Sequence, residues 1–204
     1  MSAKRAVLLF GAFNPFTNAH LHIGRLAQSV FPEHEVIYVP ARLSYFQSWK
    51  GMSEADVLSE ELRFDLVRGS VEPEGFSVSD IEIKGIVNGR TWNSLQYFRQ
   101  ELGYSELVLC MGTDKVSELE TWFHGPELVA ENRFLIITRS GQRLADCMTP
   151  FTSQWQQNFV ELPNDELAGL SATAIREALS RGDLETVRAS VPPYVYNRLT
   201  SRNH

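Results

Sequence analysis

The residues of this chain best suited to chemistry lie in the run Gly11-Ala12-Phe13-Asn14-Pro15-Phe16-Thr17-Asn18-Ala19-His20. Gly11 lets a backbone approach a ligand closely, and Pro15 stiffens the turn. Thr17 and Asn18 are types that cap helix N-termini. His20 can give a proton or a charge-assisted hydrogen bond to a phosphate oxygen. A helix start offers unpaired N–H donors and the positive end of the dipole, so the run suits an anion. A second group falls at Ser171, Thr173 and Arg176. On the first turns of a helix these supply two hydroxyls, a guanidinium and backbone donors, again a set for phosphate. Lys50 sits among Tyr45, Phe46 and Trp49 in an unpatterned stretch, 41–54, which reads as a binding loop or lid. Each has a plainer reading. A lone helix-start histidine is usually satisfied by backbone groups, Thr17 needs only to cap, and exposed arginines and lysines are usually just solvated. His22 faces another side of the helix.

The elements that must position these groups alternate. Val7–Phe10 is a short apolar run ending in Gly11, read as a buried strand, and from Leu21 the apolar spacing becomes helical. Residues 35–39 read as a strand closed by Pro40, 55–69 as a helix, 76–83 as a partly alternating strand, and 91–102 as a helix stopped by Gly103. Leu107–Met111 and Phe134–Ile137 are continuous apolar runs of the kind found in parallel strands covered on both faces. Residues 139–158 read as a polar surface excursion, 159–162 as an edge strand, and 171–181 and 193–199 as helices. This alternation predicts a parallel α/β sheet whose ligands bind at the strands' carboxyl ends.

With Gly11, Phe13, Asn14, Pro15, Thr17 and His20, the first run resembles the nucleotidylyltransferase superfamily signature. Leu170-Ser171-Ala172-Thr173-Ala174-Ile175-Arg176 resembles the late motif of nicotinate/nicotinamide mononucleotide adenylyltransferases. Gly112-Thr113-Asp114 with Trp122, and Asp80-Ile81-Glu82 with Gly89-Arg90-Thr91-Trp92-Asn93-Ser94-Leu95, are similar to further stretches of that family. So are Arg181-Gly182 and Val191-Pro192-Pro193-Tyr194-Val195, and all occur in collinear order. Three positions depart from the pattern: Ala19 replaces the motif glycine, Ala172 the second serine, and Arg90 stands where bacterial nicotinate enzymes place tyrosine.

The resemblance implies a Rossmann-like doubly wound sheet of the nucleotidylyltransferase type. One domain would span 1–204, with 170–204 forming a phosphate-binding helix and helical tail. It implies transfer of the adenylyl group of ATP to nicotinate or nicotinamide mononucleotide, with Mg²⁺ bridging phosphate oxygens and no dedicated protein metal site. His20, Thr17 and Arg176 would be catalytic. Gly11, Phe13, Asn14, Thr17, His20, Gly112, Asp114, Ser171, Thr173 and Arg176 would bind ATP. Phe13, Asn14, Lys50, Thr91, Trp92 and Trp122 would hold the mononucleotide, Trp122 by stacking and Thr91 through its backbone N–H. Transfer to another phosphate such as phosphopantetheine, and a nucleotide sensor without turnover, are the competing readings.

Composition agrees with a globular protein: 43% hydrophobic, 22% charged and a net charge of −6 over 204 residues. That charge speaks against nucleic-acid or anionic-membrane binding. No apolar stretch approaches transmembrane length, no export route is legible, and a cytoplasmic location is expected. Cys110 and Cys147 lack metal-ligand spacing. A homo-oligomer is compatible with the sequence. A dehydrogenase is not, because the first turn lacks the glycine-x-glycine-x-x-glycine spacing.

Overall fold

The computed structural model describes residues 3–42, 57–138, 141–164 and 172–201. In chain order its strands are β1 (Lys4–Gly11), β2 (Glu35–Pro40), β3 (Ser77–Val78), β4 (Tyr104–Gly112), β5 (Arg133–Thr138) and β6 (Phe159–Pro163). They form one six-stranded sheet in the order β3-β2-β1-β4-β5-β6, and every neighbouring pair is parallel. The helices are α1 (Asn18–Val30), α2 (Glu60–Val71), α3 (Thr91–Gln100), α4 (Gly125–Glu131), α5 (Leu144–Cys147) and α6 (Pro150–Ser153), then α7 (Ala172–Ser180), α8 (Leu184–Ser190) and α9 (Pro193–Thr200). This is the α/β, Rossmann-like architecture expected.

Strand alternation sends successive side chains of β1 into two cores. Val7 and Leu9 pack with residues of α1, α2 and α7–α9, including Leu21, Leu66, Ile175 and Val195. Ala6 and Leu8 pack on the other face with Leu95, Phe98, Val116, Leu119 and Leu128. A strand buried on both faces has no polar side to show, which is why its sequence reads as an unbroken apolar run. Cys110 is a free thiol in the first core, and burial pushes it up to about 12.

Several boundaries differ from the sequence reading. The strand expected over 76–83 is only Ser77–Val78. The chain then turns over 81–85, with Lys84 and Ile86 donating their N–H groups to the carbonyls of Asp80 and Ile81 at 2.8 and 2.9 Å. The partial alternation there reflects a loop that buries Ile81 and Val87 singly. Helix α2 begins at Glu60 on a Ser59 cap, not at 55. The stretch 139–158 contains α5, α6 and a short 3₁₀ turn. A 3₁₀ segment at Thr113–Thr121, α4 and α8 were not anticipated; each is too short to show a clear period. Of the 41–54 loop only 41 and 42 lie within the described residues.

Candidate active site

The strand order reverses at β1, from which the chain runs to β2 and β3 on one side and to β4, β5 and β6 on the other. Leu9 lies opposite Cys110, so Gly11 and Gly112 end their strands side by side. Such a reversal opens a crevice at the carboxyl ends, where the two connections diverge. The Gly11–Thr17 turn, the segment after Gly112 and the N-terminus of α3 all border that end of the sheet.

The first turn is built from inside. Phe13 takes a φ of 47°, in the left-handed region that side chains rarely adopt. Its ring is buried against Phe16, Tyr38 and the His20 ring, with centroids 5.6, 5.8 and 5.1 Å away. A Cβ on Gly11 would stand 2.8 Å from that ring, so glycine is what lets Phe13 fold back under the strand end. Asn14 is also buried, and its Oδ1 accepts the N–H of Leu58 at 3.0 Å. Both side chains therefore support the turn, and what they leave for a ligand is backbone.

Two guanidinium groups hold the same turn. Arg63, fully buried on α2, donates through Nη1 to the Ala12 carbonyl at 2.9 Å and through Nε to the Leu58 carbonyl at 3.2 Å. Arg176, half-buried on α7, donates through Nη1 to the Asn14 carbonyl at 2.8 Å and through Nη2 to Thr173 Oγ1 at 3.1 Å. The sequence reading found Arg176 and missed Arg63, because an arginine beside inward-facing leucines looks like a solvated position. Burial disfavours the charged form of Arg63, and the nearby carboxylates of Glu60 and Glu61 oppose that effect.

Thr17 caps α1 as expected, and the cap is reciprocal. Its Oγ1 accepts the His20 N–H at 3.3 Å, while its own N–H donates to His20 Nδ1 at 3.0 Å. The hydroxyl lies 2.9 Å from the same nitrogen. Nδ1 is thus an acceptor, a tautomer assigned from the hydrogen-bond network, and the proton of the neutral ring sits on Nε2. Burial pushes the imidazole down to about 4, so it is neutral at physiological pH. From β2, the Tyr38 hydroxyl donates to the His20 carbonyl at 2.9 Å. Residue 24 must be glycine for this, since a Cβ there would run into that hydroxyl.

Across the crevice, Thr91 is the first residue of α3 and Arg90 is its N-cap. Asn88 Oδ1 accepts the Arg90 N–H at 3.2 Å and Asn93 Nδ2 at 2.9 Å, which fixes the turn into the helix. Like any helix start, this one leaves the N–H groups of Thr91 and Trp92 without intrahelical acceptors. Below them the Ser94 hydroxyl donates to buried Glu82 at 2.9 Å, and desolvation pushes that carboxyl up to about 7. Trp92 stacks on His124, with centroids 5.1 Å apart and planes 27° off parallel. Trp122 is half-buried against the second core, next to this pair in the chain. Beyond Gly112, the Asp114 carboxylate is exposed, 3.6 Å from Lys115 Nζ. Lys50 and Ser171 lie outside the described residues, as does Leu170.

The fold thus gathers His20, Thr17 and Arg176 on one turn and brings Trp92, one residue after Thr91, against His124, two residues after Trp122. Residues 8–178 match the Cytidylyltransferase-like family. The chain is 28% identical over 196 residues to a protein of Neisseria meningitidis named probable nicotinate-nucleotide adenylyltransferase, covering 93% of this chain and 92% of that one. It is 27% identical over 206 residues to a protein of the same name from Clostridium perfringens, covering 98% and 97%. Among solved structures it superposes on the nicotinic acid mononucleotide adenylyltransferase of Plasmodium falciparum complexed with APC, with a TM-score of 0.75, 18% identity and coverage of 98% and 96%. The chain belongs to the cytidylyltransferase-like family of nucleotidyltransferase enzymes, in its nicotinate-nucleotide adenylyltransferase branch.

Proposed function

We propose that this enzyme transfers the adenylyl group of ATP to nicotinate mononucleotide, giving deamido-NAD and pyrophosphate in NAD biosynthesis. The observation that carries this reading is the meeting of His20 and Arg176, 156 positions apart in sequence, on the Gly11–Thr17 turn at the carboxyl ends of β1 and β4. The names of the curated relatives support the acceptor.

The 5′-phosphate of the mononucleotide is already ionised at neutral pH, so it needs no strong general base. One of its oxygens attacks the α-phosphorus of ATP in line. The bond from that phosphorus to the bridging oxygen breaks, and pyrophosphate leaves with the electron pair. Rate enhancement then comes from alignment and from donors placed where charge develops. His20 presents Nε2–H to the α-phosphate region as a neutral donor. Its tautomer is fixed beforehand by Thr17, which orients His20 while its own hydroxyl is taken up in the cap. Arg176 keeps N–H donors beyond the two spent on Asn14 and Thr173, and these face the β- and γ-phosphates. The backbone of Gly11–Asn14 lines the path of the triphosphate, and Gly112 and Asp114 lie toward the adenosine. Thr91, Trp92 and Trp122 face the pyridine nucleotide.

Mg²⁺ enters as part of the ATP substrate. Donors of the first turn and α7 are N–H groups, which suit phosphate oxygens and not a cation, and among the described residues no cluster of three acidic, histidine or cysteine side chains is built for a metal. A Mg²⁺ ion brought in with ATP would neutralise charge on the triphosphate, which with water would supply its oxygen ligands.

The test is pyrophosphate release from ATP and Mg²⁺ with nicotinate mononucleotide, nicotinamide mononucleotide or phosphopantetheine as acceptor. Turnover with a pyridine mononucleotide, fastest with the acid, is the expected result. Turnover with phosphopantetheine alone, or tight ATP binding with no pyrophosphate from any acceptor, would replace the proposal.

A further inference from the structure

Arg90 lies at the crevice rim and is exposed, yet it is not a free surface cation. Its guanidinium carbon sits 4.3 Å from the centroid of the Phe123 ring. Phe123 in turn meets His124 edge-on at 4.4 Å, and His124 stacks on Trp92. Four side chains from two segments thus make a continuous wall: Arg90 and Trp92 from the start of α3, and Phe123 and His124 from the chain before α4. The backbone on both sides is fixed. Asn88 holds the Arg90 N–H, and His124 takes a left-handed φ of 54° in front of Gly125, which must be glycine because a Cβ there would run into the Leu119 carbonyl.

Several guanidiniums among the described residues meet a carboxylate closely: Arg25 on Glu74, Arg143 on Asp146 and Arg198 on Asp65 at 2.7 to 2.8 Å. Arg90 has no carboxylate within 4 Å among the described residues. The ring covers the guanidinium from one side at 4.3 Å, and its N–H groups meet no carboxylate among the described residues. A guanidinium is a planar fork with donors only, set along its edges. A carboxylate takes two parallel N–H bonds from such an edge. A carboxamide offers one oxygen and turns an NH₂ group toward more N–H groups. A wall of stacked rings beside that edge suits a flat heteroaromatic ring.

We infer that Arg90, set over the Phe123 ring, selects the acceptor by its pyridine carboxylate and so sets a preference for nicotinate over nicotinamide mononucleotide. The inference rests on the acceptor reading given above. Arg90 determines specificity here and takes no part in phosphoryl transfer.

The test compares kcat/KM for the two mononucleotides in the full-length protein and in Arg90→Gln, Arg90→Lys and Phe123→Leu, with thermal melting to confirm that each is folded. Arg90 and Phe123 are exposed, so these changes leave the cores intact. Arg90→Gln is expected to lower kcat/KM for the nicotinate form about 10- to 100-fold, the range for losing a charge-assisted pair, and to leave the nicotinamide form nearly unchanged. Phe123→Leu keeps the charge but removes the platform, and the acid preference should shrink. Arg90→Lys should hold an intermediate ratio. A structural role alone would not move the ratio.

An unchanged ratio in Arg90→Gln would overturn the inference. So would an equal loss with both acceptors, which would mean that Arg90 reads the phosphate they share. A parent enzyme with no acid preference would also overturn it, while the adenylyltransfer reading would stand. A parent enzyme that uses neither pyridine nucleotide would overturn both.

Discussion

Arg176 donates through Nη1 to the carbonyl oxygen of Asn14 at 2.8 Å, which ties the last motif of the chain to the first across 162 residues. One side chain therefore does two things: it fixes the turn and it brings positive charge to it. Arg176→Ala should lower kcat/KM for ATP about 100-fold, with a smaller change in the KM for the mononucleotide. Arg176→Lys should recover little, because a single ammonium cannot serve Asn14, Thr173 and a phosphate together. Steady-state kinetics with each substrate varied in turn would check this, and a normal kcat and ATP KM in the alanine variant would remove Arg176 from the site.

His20 is expected to be a neutral donor over the whole working range. Long-range proton–nitrogen NMR of the free enzyme should show the Nε2–H form with no titration between pH 5.5 and 8, given an imidazole held near 4. The sign for stability follows: the unfolded chain binds this proton near pH 6.5 and the folded one does not, so His20 makes the fold lose stability as pH falls from about 6.5 toward 4. His20→Ala should reduce kcat by roughly 100- to 1,000-fold, as for loss of one preorganised donor. An Nδ1–H signal would contradict the role assigned to the Thr17 N–H.

Tyr38→Phe separates the support of His20 from its chemistry. It removes the hydroxyl that holds the first turn of α1 while keeping the buried ring. The expected result is a loss of about 1 kcal/mol in stability and a fall in kcat smaller than that of His20→Ala. A fall as large as that of His20→Ala would mean that Tyr38 does more than hold a carbonyl.

What was legible in the sequence was what has a period or a motif. Runs such as Leu107–Met111 need both faces buried and announce a parallel strand. Thr17 three residues before His20 announces a cap. Arg63 was not legible: its guanidinium is inside only because two carbonyls, 51 and 5 positions back, converge on it in space. The stacking of Trp92 on His124 was hidden for the same reason, since the two come from different segments. The helix start was legible at Thr91, where the helix begins, but its cap was not: Arg90 takes that place, and the side-chain oxygen comes from Asn88.

Arg63 yields the clearest stability prediction. Arg63→Met fits the volume but leaves the Ala12 and Leu58 carbonyls without their donors in a buried place. Chemical denaturation should show a loss of about 2 to 5 kcal/mol. The first turn should loosen as well, raising the KM for ATP. A variant as stable as the parent would show that water serves those carbonyls equally well.

Glu82 gives a pH dependence of opposite sense to that of His20. Its carboxyl is buried on the Ser94 hydroxyl and pushed up to about 7 from 4.5, with desolvation the main cause. Between those values the folded protein keeps a proton that the unfolded chain has lost. The group therefore contributes most stability at low pH, and that contribution is lost as pH rises through 7. Glu82→Gln removes the titration and keeps an acceptor for Ser94. Stability of the parent relative to the variant should fall by about 2 to 3 kcal/mol between pH 5 and pH 8. Because Glu82 braces the first turn of α3, deprotonation should also raise the mononucleotide KM in the parent but not in the variant. Denaturation curves at the two pH values would decide: parallel stabilities would place Glu82 in contact with water or with a compensating cation.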